Sequence, residues 1–273
     1  VTKDIYKIYG WLLEECGYPA LPDVEYEKRK LEYEDVFPVL YLKYRLTGKA
    51  VHNHIKHLVI DEMQDYSRLQ YLIIRRMFSC KMTILGDRAQ TMADQQQDVL
   101  QFLPGIFGKD LRRIEMRKSY RNTVEIASYA ANLIGVTDLE LFERHGMPVL
   151  ERDVTDLEAA LREAVDTLFP DEKTYETAAV IVPDEKTAER AYLILREILA
   201  EKDFDCEKRL SWLNRDSSSF KKGLTVTTFY LAKGLEFDQV FSIFPKDEKR
   251  EIMMQAQYIA ATRALHELRV YHI

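Results

Sequence analysis

Short apolar runs alternate with amphipathic segments from residue 57 onward, and this alternation constrains the fold more than any other feature of the chain. The run HLVI (57–60) precedes SRLQYLIIRRMF (67–78), whose apolar residues recur at the spacing of one helix face. Much later, AAVIV (178–182) precedes the long amphipathic segment 184–203. Strands that alternate with helices form parallel sheets between helical layers. The sequence therefore predicts an α/β fold, with parallel sheets flanked by helices on both faces.

The same periodicities predict the individual elements and a division into two parts. Helices are predicted over 5–17, 36–48, 67–78, 123–135, 157–169, 184–203 and 251–265. Strands are predicted over 57–60, 81–87, 111–116, 178–182, 225–229, 239–244 and 267–271. Asn122 and Glu125 resemble a helix-start cap. Because 273 residues suit about two domains, two sheets are predicted, with a boundary near residue 110.

The composition predicts a soluble, cytoplasmic protein. Hydrophobic residues make up 47% of the chain and charged residues 31%, which suits a globular protein with a sizeable core. No apolar stretch approaches the ~20 residues that span a bilayer, and no secretory signal opens the chain. Three widely separated cysteines indicate reduced thiols. A net charge of −6 argues against a general affinity for nucleic acid and leaves a protein partner open.

Carboxylates crowd the end of the first predicted strand, where Asp61 and Glu62 directly follow HLVI. Ligands of parallel sheets bind at the carboxyl ends of the strands. One carboxylate there is suited to holding Mg²⁺ through water, and the next to orienting or deprotonating an attacking water molecule. The alternative is structural, because Asp65 or Ser67 could cap the following helix instead.

The second predicted strand ends in a similar polar group. Gly86, Asp87 and Gln90 follow its apolar residues. A glutamine at this position is suited to reading the γ-phosphate of a nucleotide. The alternative is a routine Gly-Asp turn followed by a solvated side chain.

Further candidates lie in the second half of the chain. Arg121 stands just before a predicted helix, and Arg263 stands within the last one. Arginines that reach a phosphate neutralise charge in the transition state, although most surface arginines form ion pairs worth only about 0–1 kcal/mol. Gly234 and Glu236 would place a small residue and a carboxylate beside a ribose, or form a plain turn.

In this order and spacing, the motifs resemble those of superfamily 1 helicases of the UvrD/Rep type. The corresponding segments are DEMQD (61–65, motif II), LGDRAQ (85–90, motif III), SYRN (119–122, motif IV), LAKGLEFD (231–238, motif V) and YIAATRA (258–264, motif VI). The resemblance covers about residues 55–273. It implies a RecA-like P-loop NTPase fold, with the latter part of a first RecA-like domain and a helical lead-in over 1–110, and a second RecA-like domain over 111–273. In such a motor the two domains close on ATP.

The resemblance also implies roles for individual residues, with ATP and Mg²⁺ as cofactors. Asp61 would hold Mg²⁺ through water, and Glu62 would activate the attacking water. Gln90 would sense the γ-phosphate, and Arg121 and Arg263 would be the arginine fingers. Nucleotide contacts are implied for Gln64, Asp87, Gly234 and Glu236.

Two departures from the family pattern concern the first half of the chain. No G-x-x-x-x-G-K-[ST] phosphate loop occurs in the sequence, and the Gly-Lys pairs at 48–49 and 108–109 lack the upstream glycine. The chain therefore resembles the C-terminal part of an ATPase and is expected to bind ATP poorly alone. After Gln90, the family's base-stacking aromatic is replaced by the polar segment TMADQQQDVL (91–100), for which a solvated loop is favoured.

A third departure concerns the partner. Tyr230 stands where most family members have histidine, and this residue together with segment 31–48 resembles the HelD, or helicase-IV-like, subgroup. That resemblance implies action on bacterial RNA polymerase, which the acidic net charge would favour by mimicking nucleic acid. Two alternatives stay open, a 3′-to-5′ single-stranded DNA translocase and a non-catalytic binding module. The sequence leaves the oligomeric state open.

Overall fold

The computed structural model describes residues 3–48, 52–87, 90, 98–108, 111–116, 118–136, 140–169, 175–202, 204–217, 222–246 and 251–273. These residues form two compact units: the N-terminal unit contains the described residues up to Arg113, and the C-terminal unit those from Ile114 onward. The assignment of ranges 1–110 and 111–273 to two RecA-like domains stays a prediction. No helix in the described ranges has the length and apolar character needed to cross a membrane.

The N-terminal unit has a small parallel sheet on a helical layer. Its elements are α1 (Ile5–Glu15), α2 (Tyr33–Thr47), β1 (His57–Ile60), α3 (Arg68–Met77), β2 (Lys81–Ile84) and α4 (Val99–Phe107). Strands β1 and β2 are parallel and in register, with Ile60 opposite Ile84. Ile60 packs in one core with Tyr71, Val99 and Leu103 of α3 and α4. Helix α4 was absent from the sequence prediction.

Local hydrogen bonds explain where α3 begins. The Ser67 hydroxyl accepts the backbone N–H of Gln70, and the Gln70 side chain accepts the N–H of Ser67, which completes a capping box. Of the two helix caps that the sequence allowed, Ser67 is therefore the one used. Asp65 belongs instead to a short 3-10 turn, Met63–Asp65, between β1 and α3.

Among the described residues, helices cover only one face of the β1–β2 pair. Leu58 and Ile60 face the helices, but Val59 between them is 60% exposed. The neighbouring Thr83 of β2 is also exposed. Because strand side chains alternate between faces, one face of this pair packs on the helices and the other is open within the described part of the chain.

The C-terminal unit is a three-layer α/β structure. Its elements are β3 (Lys118–Ser119), α5 (Val124–Leu133), β4 (Glu140–Leu141), β5 (Leu150–Asp153), α6 (Leu157–Asp166), β6 (Thr177–Val182), α7 (Glu185–Ala200), α8 (Cys206–Arg209), β7 (Leu210–Trp212), β8 (Gly223–Thr228), β9 (Phe237–Phe244), α9 (Glu251–Ala261) and β10 (Ala264–His272). Within the described residues, six strands pair in the order β5-β10-β9-β6-β8-β7, and every pairing is parallel. A separate parallel pair joins β3 to β4.

Two apolar cores cover the two faces of the large sheet. On one face, Val180 and Phe241 pack against α6 and α7. On the other face, Ile181 and Val240 pack against α5 and α9. The central strand β6 is buried from Ala178 to Val182, which explains why its sequence is continuously apolar rather than alternating. The predicted α/β fold with parallel sheets flanked by helices is confirmed.

Several predicted boundaries are wrong for identifiable reasons. Residues 111–116 form no strand, because they are exposed and pair with no strand among the described residues. Helix α6 ends at Asp166 rather than 169, since Phe169 has a left-handed φ of 49°. The last helix ends at Ala261, and Arg263 lies in the tight turn that follows it, where its N–H donates to Ala260 O.

A buried glutamine holds the turn after α6 against the central sheet. Gln239 of β9 is fully buried; its Oε1 accepts the N–H of Phe169 at 3.1 Å, and its Nε2 donates to Thr167 O at 2.9 Å. The bond to the Phe169 N–H is buried and the bond to Thr167 O is partly buried, and both support the left-handed conformation of Phe169.

Replacing Gln239 by Met is expected to destabilise the fold strongly. The substitution keeps the approximate volume but leaves two backbone groups unpaired, each worth about 1–3 kcal/mol. Urea unfolding should give a lower free energy of unfolding than for Gln101→Met, a change at an exposed helix position. Equal unfolding midpoints for the two variants would contradict the proposed contribution of Gln239.

Candidate functional site

The end of β1 carries two carboxylates in an unusual backbone conformation. Asp61 is exposed, and its Oδ1 accepts the N–H of Glu62 at 2.8 Å. Glu62 has φ 51° and ψ 51°, the left-handed region that costs a residue with a side chain about 1 kcal/mol or more. Strained residues of this kind concentrate at functional sites. Glu62 is therefore the strongest candidate for a functional residue in the N-terminal unit.

The Gln64 side chain connects the ends of β1 and β2. Its Nε2 donates to Glu62 Oε2 at 2.5 Å, and its Oε1 accepts the backbone N–H of Asp87 at 3.2 Å. Gln64 is only 2% exposed. With both ends of the amide engaged, Gln64 fixes the position of the Glu62 carboxylate. Its predicted contact with nucleotide stays a prediction.

Gly86 permits the close approach of these two strand ends. A Cβ atom at this position would lie 2.3 Å from Met63 Cγ, 2.6 Å from Gln64 Oε1 and 2.7 Å from Met63 N. The backbone N–H of Met63 donates to Leu85 O at 2.8 Å, which holds the turn against the end of β2. The glycine is thus required by proximity, since no side chain fits between β2 and the turn.

Gln90 is held beside Asp87. Its Nε2 donates to Asp87 Oδ2 at 3.0 Å, and its own N–H donates to Asp87 O at 3.1 Å. Gln90 is 8% exposed, and its Oε1 accepts no hydrogen bond from the described residues. Its role as phosphate sensor stays a prediction. The polar segment 91–97 lies outside the described residues, and Val99 and Leu100 begin α4.

The donor chemistry at the end of β1 fits a magnesium ion in a nucleotide site. Mg²⁺ is typically bound by one or two carboxylates, with waters and substrate phosphates as the other ligands. Asp61 offers one exposed carboxylate of this kind. No group of three or more His, Cys, Asp or Glu side chains that would hold a metal ion occurs within the described ranges.

In the C-terminal unit, two of the predicted site residues bind each other. Arg121 Nε and Glu236 Oε1 are 2.6 Å apart, and both side chains are about half exposed. Nearby, Gly234 has a φ of 78° with open space where a Cβ would stand. Arg121 follows β3 and Glu236 directly precedes β9, so sequence segments more than 100 residues apart meet at this ion pair.

Arg263 lies in the interior of the same unit. The residue is 1% exposed; its Nε donates to Ile259 O at 3.2 Å and its Nη1 to Leu235 O at 3.4 Å. Its own carbonyl accepts the N–H of Phe237 at 2.9 Å. The guanidinium therefore joins the turn after α9 to the segment before β9. Its predicted role as an arginine finger stays a prediction.

Sequence reasoning misjudged Asn122. The cap of α5 is Thr123, whose hydroxyl accepts the N–H of Ile126. Asn122 is buried instead, and its Nδ2 donates to Thr262 O at 3.2 Å and Ala264 O at 2.6 Å. Asn122 therefore fastens the Arg121 segment to the turn that contains Arg263.

Arg144 was missed altogether, because nothing in its local sequence distinguishes it from a surface arginine. Its Nη2 donates to Arg121 O and to Leu265 O, both at 2.5 Å. The residue after it, His145, contacts Glu125 Oε1 at 2.9 Å, and this contact, with the N–H of Gly146, lowers the pKa of Glu125 to about 2. Only contacts between distant parts of the chain reveal this cluster.

A cavity of about 250 Å³ lies next to Arg144 and contains none of the predicted site residues. It is lined by Thr123, Arg144, His145, Gly146, Met147, Tyr175 and His266. The Tyr175 and His266 rings stack with centroids 5.8 Å apart. The predicted chemistry lies elsewhere, so we take the end of β1 as the candidate site of the N-terminal unit and the Arg121–Glu236 ion pair as that of the C-terminal unit.

Tyr230 lies after β8, where its ring is contacted by Arg215 at 6.0 Å from the ring centroid. Arg215 Nε is also 2.8 Å from Glu185 Oε1 in the first turn of α7. The Tyr230 hydroxyl and the Glu185 carboxylate both raise the pKa of Arg215. Arg215 thus links the Tyr230 ring to α7.

A comparison with protein families matches the N-terminal part of the chain. Residues 8–92 match the family model described as UvrD/REP helicase N-terminal domain. The match includes Asp61, Glu62 and Gln90, so the resemblance to UvrD/Rep-type helicases is confirmed over these residues. The match begins at residue 8, well upstream of residue 55, and covers most of α1 and all of α2. No curated protein matches the chain.

Several solved structures that resemble the chain are described as helicases. The C-terminal domain of a possible DNA helicase from Lactobacillus plantarum WCFS1 is 24% identical, with a TM-score of 0.43, over 57% of this chain and 88% of its own. Arterivirus nonstructural protein 10, solved with DNA, is 14% identical, with a TM-score of 0.45, over 81% and 40%. A PRRSV helicase is 15% identical, with a TM-score of 0.43, over 87% and 45%. The chain thus spans less than half the length of these two viral proteins.

Replacing Gly86 by Ala is expected to destabilise the N-terminal unit. The added methyl group meets the Met63 backbone, which cannot move without breaking its bond to Leu85; such overpacking costs about 1–3 kcal/mol. Gly105→Ala in α4 is the matched control, because its Cβ meets no atom within 4 Å and alanine favours a helix. The urea midpoint of unfolding should be lower than that of wild type for Gly86→Ala and higher for Gly105→Ala. Coincident unfolding curves would show that Gly86 is not under steric constraint.

Proposed function

We propose that the chain is the C-terminal motor segment of an ATP-dependent superfamily 1 helicase-like protein that remodels nucleic-acid complexes in the cytoplasm. The observation that carries this proposal is Glu62, which has a strained backbone at a strand end, a carboxylate hydrogen-bonded to Gln64, and Asp61 as its neighbour. The helicase-domain match over residues 8–92 supports the assignment, because it contains this group.

In the proposed reaction, Glu62 accepts the proton of the water that attacks the γ-phosphate of ATP. The Gln64 amide holds one carboxylate oxygen and leaves the other for water. Asp61 would hold Mg²⁺, which supplies charge neutralisation at the phosphates when it is bound. Gln90, which is buried and hydrogen-bonded to Asp87, would respond to the state of the γ-phosphate.

In this proposal, the C-terminal unit supplies arginine side chains for the phosphates and a carboxylate for the ribose. The Arg121 guanidinium would neutralise charge on the transferred phosphoryl group, an effect of about 10³–10⁵ in rate when complete. The Glu236 carboxylate would accept hydrogen bonds from a ribose. Since the two side chains bind each other at 2.6 Å, ligand contacts must replace this ion pair. Arg263, whose guanidinium is buried, would act only after a local rearrangement.

We propose that the phosphate loop is supplied by an upstream segment of the same protein. No G-x-x-x-x-G-K-[ST] motif occurs in the 273 residues. The open face of the β1–β2 pair supports this view, because parallel sheets are nearly always covered on both faces and a two-stranded sheet is marginal by itself. Further strands and helices would cover Val59, which is 60% exposed.

Calorimetric titration with ATP and Mg²⁺ tests the need for that segment. We expect no micromolar affinity for the 273-residue chain, because the backbone amides and lysine of a phosphate loop are absent. The full-length protein should bind ATP in the micromolar range. Micromolar binding by the chain alone would contradict the proposal.

Replacing Glu62 by Gln in the full-length protein tests the catalytic assignment. Loss of the general base should lower kcat for ATP hydrolysis by about 10²–10⁴-fold, while the near-isosteric amide leaves ATP affinity within about threefold. The control is Glu189→Gln, at an exposed position of α7. Unchanged hydrolysis by Glu62→Gln would remove the catalytic role and favour a non-catalytic binding module.

Two substrates are candidates for the proposed motor, namely RNA polymerase on nucleic acid and single-stranded DNA. Two features favour HelD-like action on RNA polymerase. Tyr230, whose ring Arg215 contacts, stands where most members of the resembled helicase family have histidine, and the net charge of the chain is −6. A 3′-to-5′ single-stranded DNA translocase is the other candidate. Hydrolysis stimulated by single-stranded DNA, with binding that weakens steeply in salt, would favour the translocase. Co-purification with RNA polymerase without stimulation by DNA would favour the HelD-like role.

A further inference from the structure

We propose that Arg144 is a positioning residue. Its guanidinium fixes the main chain at Arg121, so that the Arg121 guanidinium is held where it neutralises charge on the transferred phosphoryl group. This inference rests on the proposed function, because it assigns Arg144 a role through Arg121. Arg144 lies in the loop after β4, more than 20 residues from Arg121 along the chain.

The contacts enclose Arg121 on both sides. Residues 142–144 run beside residues 119–124: the N–H of Phe142 donates to Ser119 O at 3.2 Å, and the N–H of Val124 donates to Arg144 O at 2.9 Å. Between these two backbone bonds, the Arg144 guanidinium donates to the carbonyl of Arg121 itself at 2.5 Å. The backbone before, at and after Arg121 is thus bonded to one short segment.

The second bond of the same guanidinium nitrogen anchors the arrangement to the sheet. Arg144 Nη2 also donates to Leu265 O at 2.5 Å, and Leu265 is the second residue of β10. Strand β10 pairs with β9, with Ala264 opposite Phe237, the residue after Glu236. Arg144 therefore links the Arg121 main chain to the start of β10, and the neighbouring strand β9 begins directly after Glu236.

Arginine suits this contact better than lysine, although both bonds come from the single nitrogen Nη2. The planar guanidinium presents several N–H donors in fixed directions, whereas a lysine ammonium is a compact group on a flexible stem. Two carbonyl oxygens contribute no full negative charge, so the contact orients the backbone rather than forming an ion pair. Removing the guanidinium leaves the Arg121 side chain intact but removes the hydrogen bond to the Arg121 carbonyl oxygen.

The test compares kinetic effects in two backgrounds of the full-length protein. Arg144→Met should lower kcat for ATP hydrolysis by about 10²-fold, the size expected for a misplacement of about 1 Å, while KM changes less than about threefold. Arg144→Lys should recover part of the loss. In an Arg121→Ala background, Arg144→Met should cause no further loss of kcat, because its effect passes through Arg121.

Controls separate this inference from simple destabilisation and from the proposed function. Arg152→Met is the matched control, since Arg152 is a surface arginine of the same unit paired with Glu163 at 3.3 Å; it should leave kcat unchanged. Thermal unfolding of each variant shows that the protein is folded at the assay temperature. If Arg121→Ala is as active as wild type, the proposed role of Arg121 fails, and this inference fails with it. If Arg121→Ala is impaired but Arg144→Met is not, or if the two losses multiply, the proposed function survives and the positioning role of Arg144 is overturned.

Discussion

The candidate site of the N-terminal unit depends on the close approach between the turn after β1 and the end of β2. The Met63 N–H bonds to Leu85 O, and Gly86 leaves room for the Gln64 amide, which reaches Glu62 and Asp87. Because β1 and β2 are parallel and in register, their carboxyl ends lie side by side, and a single buried amide suffices to connect them. The strained Glu62 backbone is stabilised by the same contacts, so its carboxylate has one defined position before any ligand binds.

In the C-terminal unit, arginine guanidinium groups position the candidate residues by donating hydrogen bonds to backbone carbonyl groups. Arg263 donates to Leu235 O and Ile259 O, and Arg144 donates to Arg121 O and Leu265 O. These four carbonyls belong to the segment before β9, to α9, to the segment after β3 and to the start of β10. Such bonds are directional, and leaving the buried Arg263 guanidinium without acceptors would be costly. The consequence is a rigid framework on which the exposed side chains of Arg121 and Glu236 face each other.

Periodicity predicted most helices and strands because each of those signals is local. The apolar run of β6 is such a signal and its strand is confirmed, and Ser67, one of the two residues proposed as a cap, does cap α3. The failures are equally physical. Residues 111–116 include three apolar residues, but all six are exposed and have no partner strand in the described structure. The last helix ends early because its final turn tightens before Arg263. A strand or a helix end is decided by what packs against it.

The sequence by itself determined the α/β class and the identity and order of the motif residues, since both are written in short-range patterns of apolar and polar residues. Only the tertiary structure decided that Gln64 orients Glu62, that Arg121 pairs with Glu236, and that Arg144 clamps the Arg121 main chain. Of these contacts, the last two join residues from about 20 to more than 100 positions apart, and the first becomes recognisable only when the fold buries its amide. The free energies of these contacts depend on how strand register and helix packing orient the donor and acceptor groups. A local sequence pattern contains no information on that orientation.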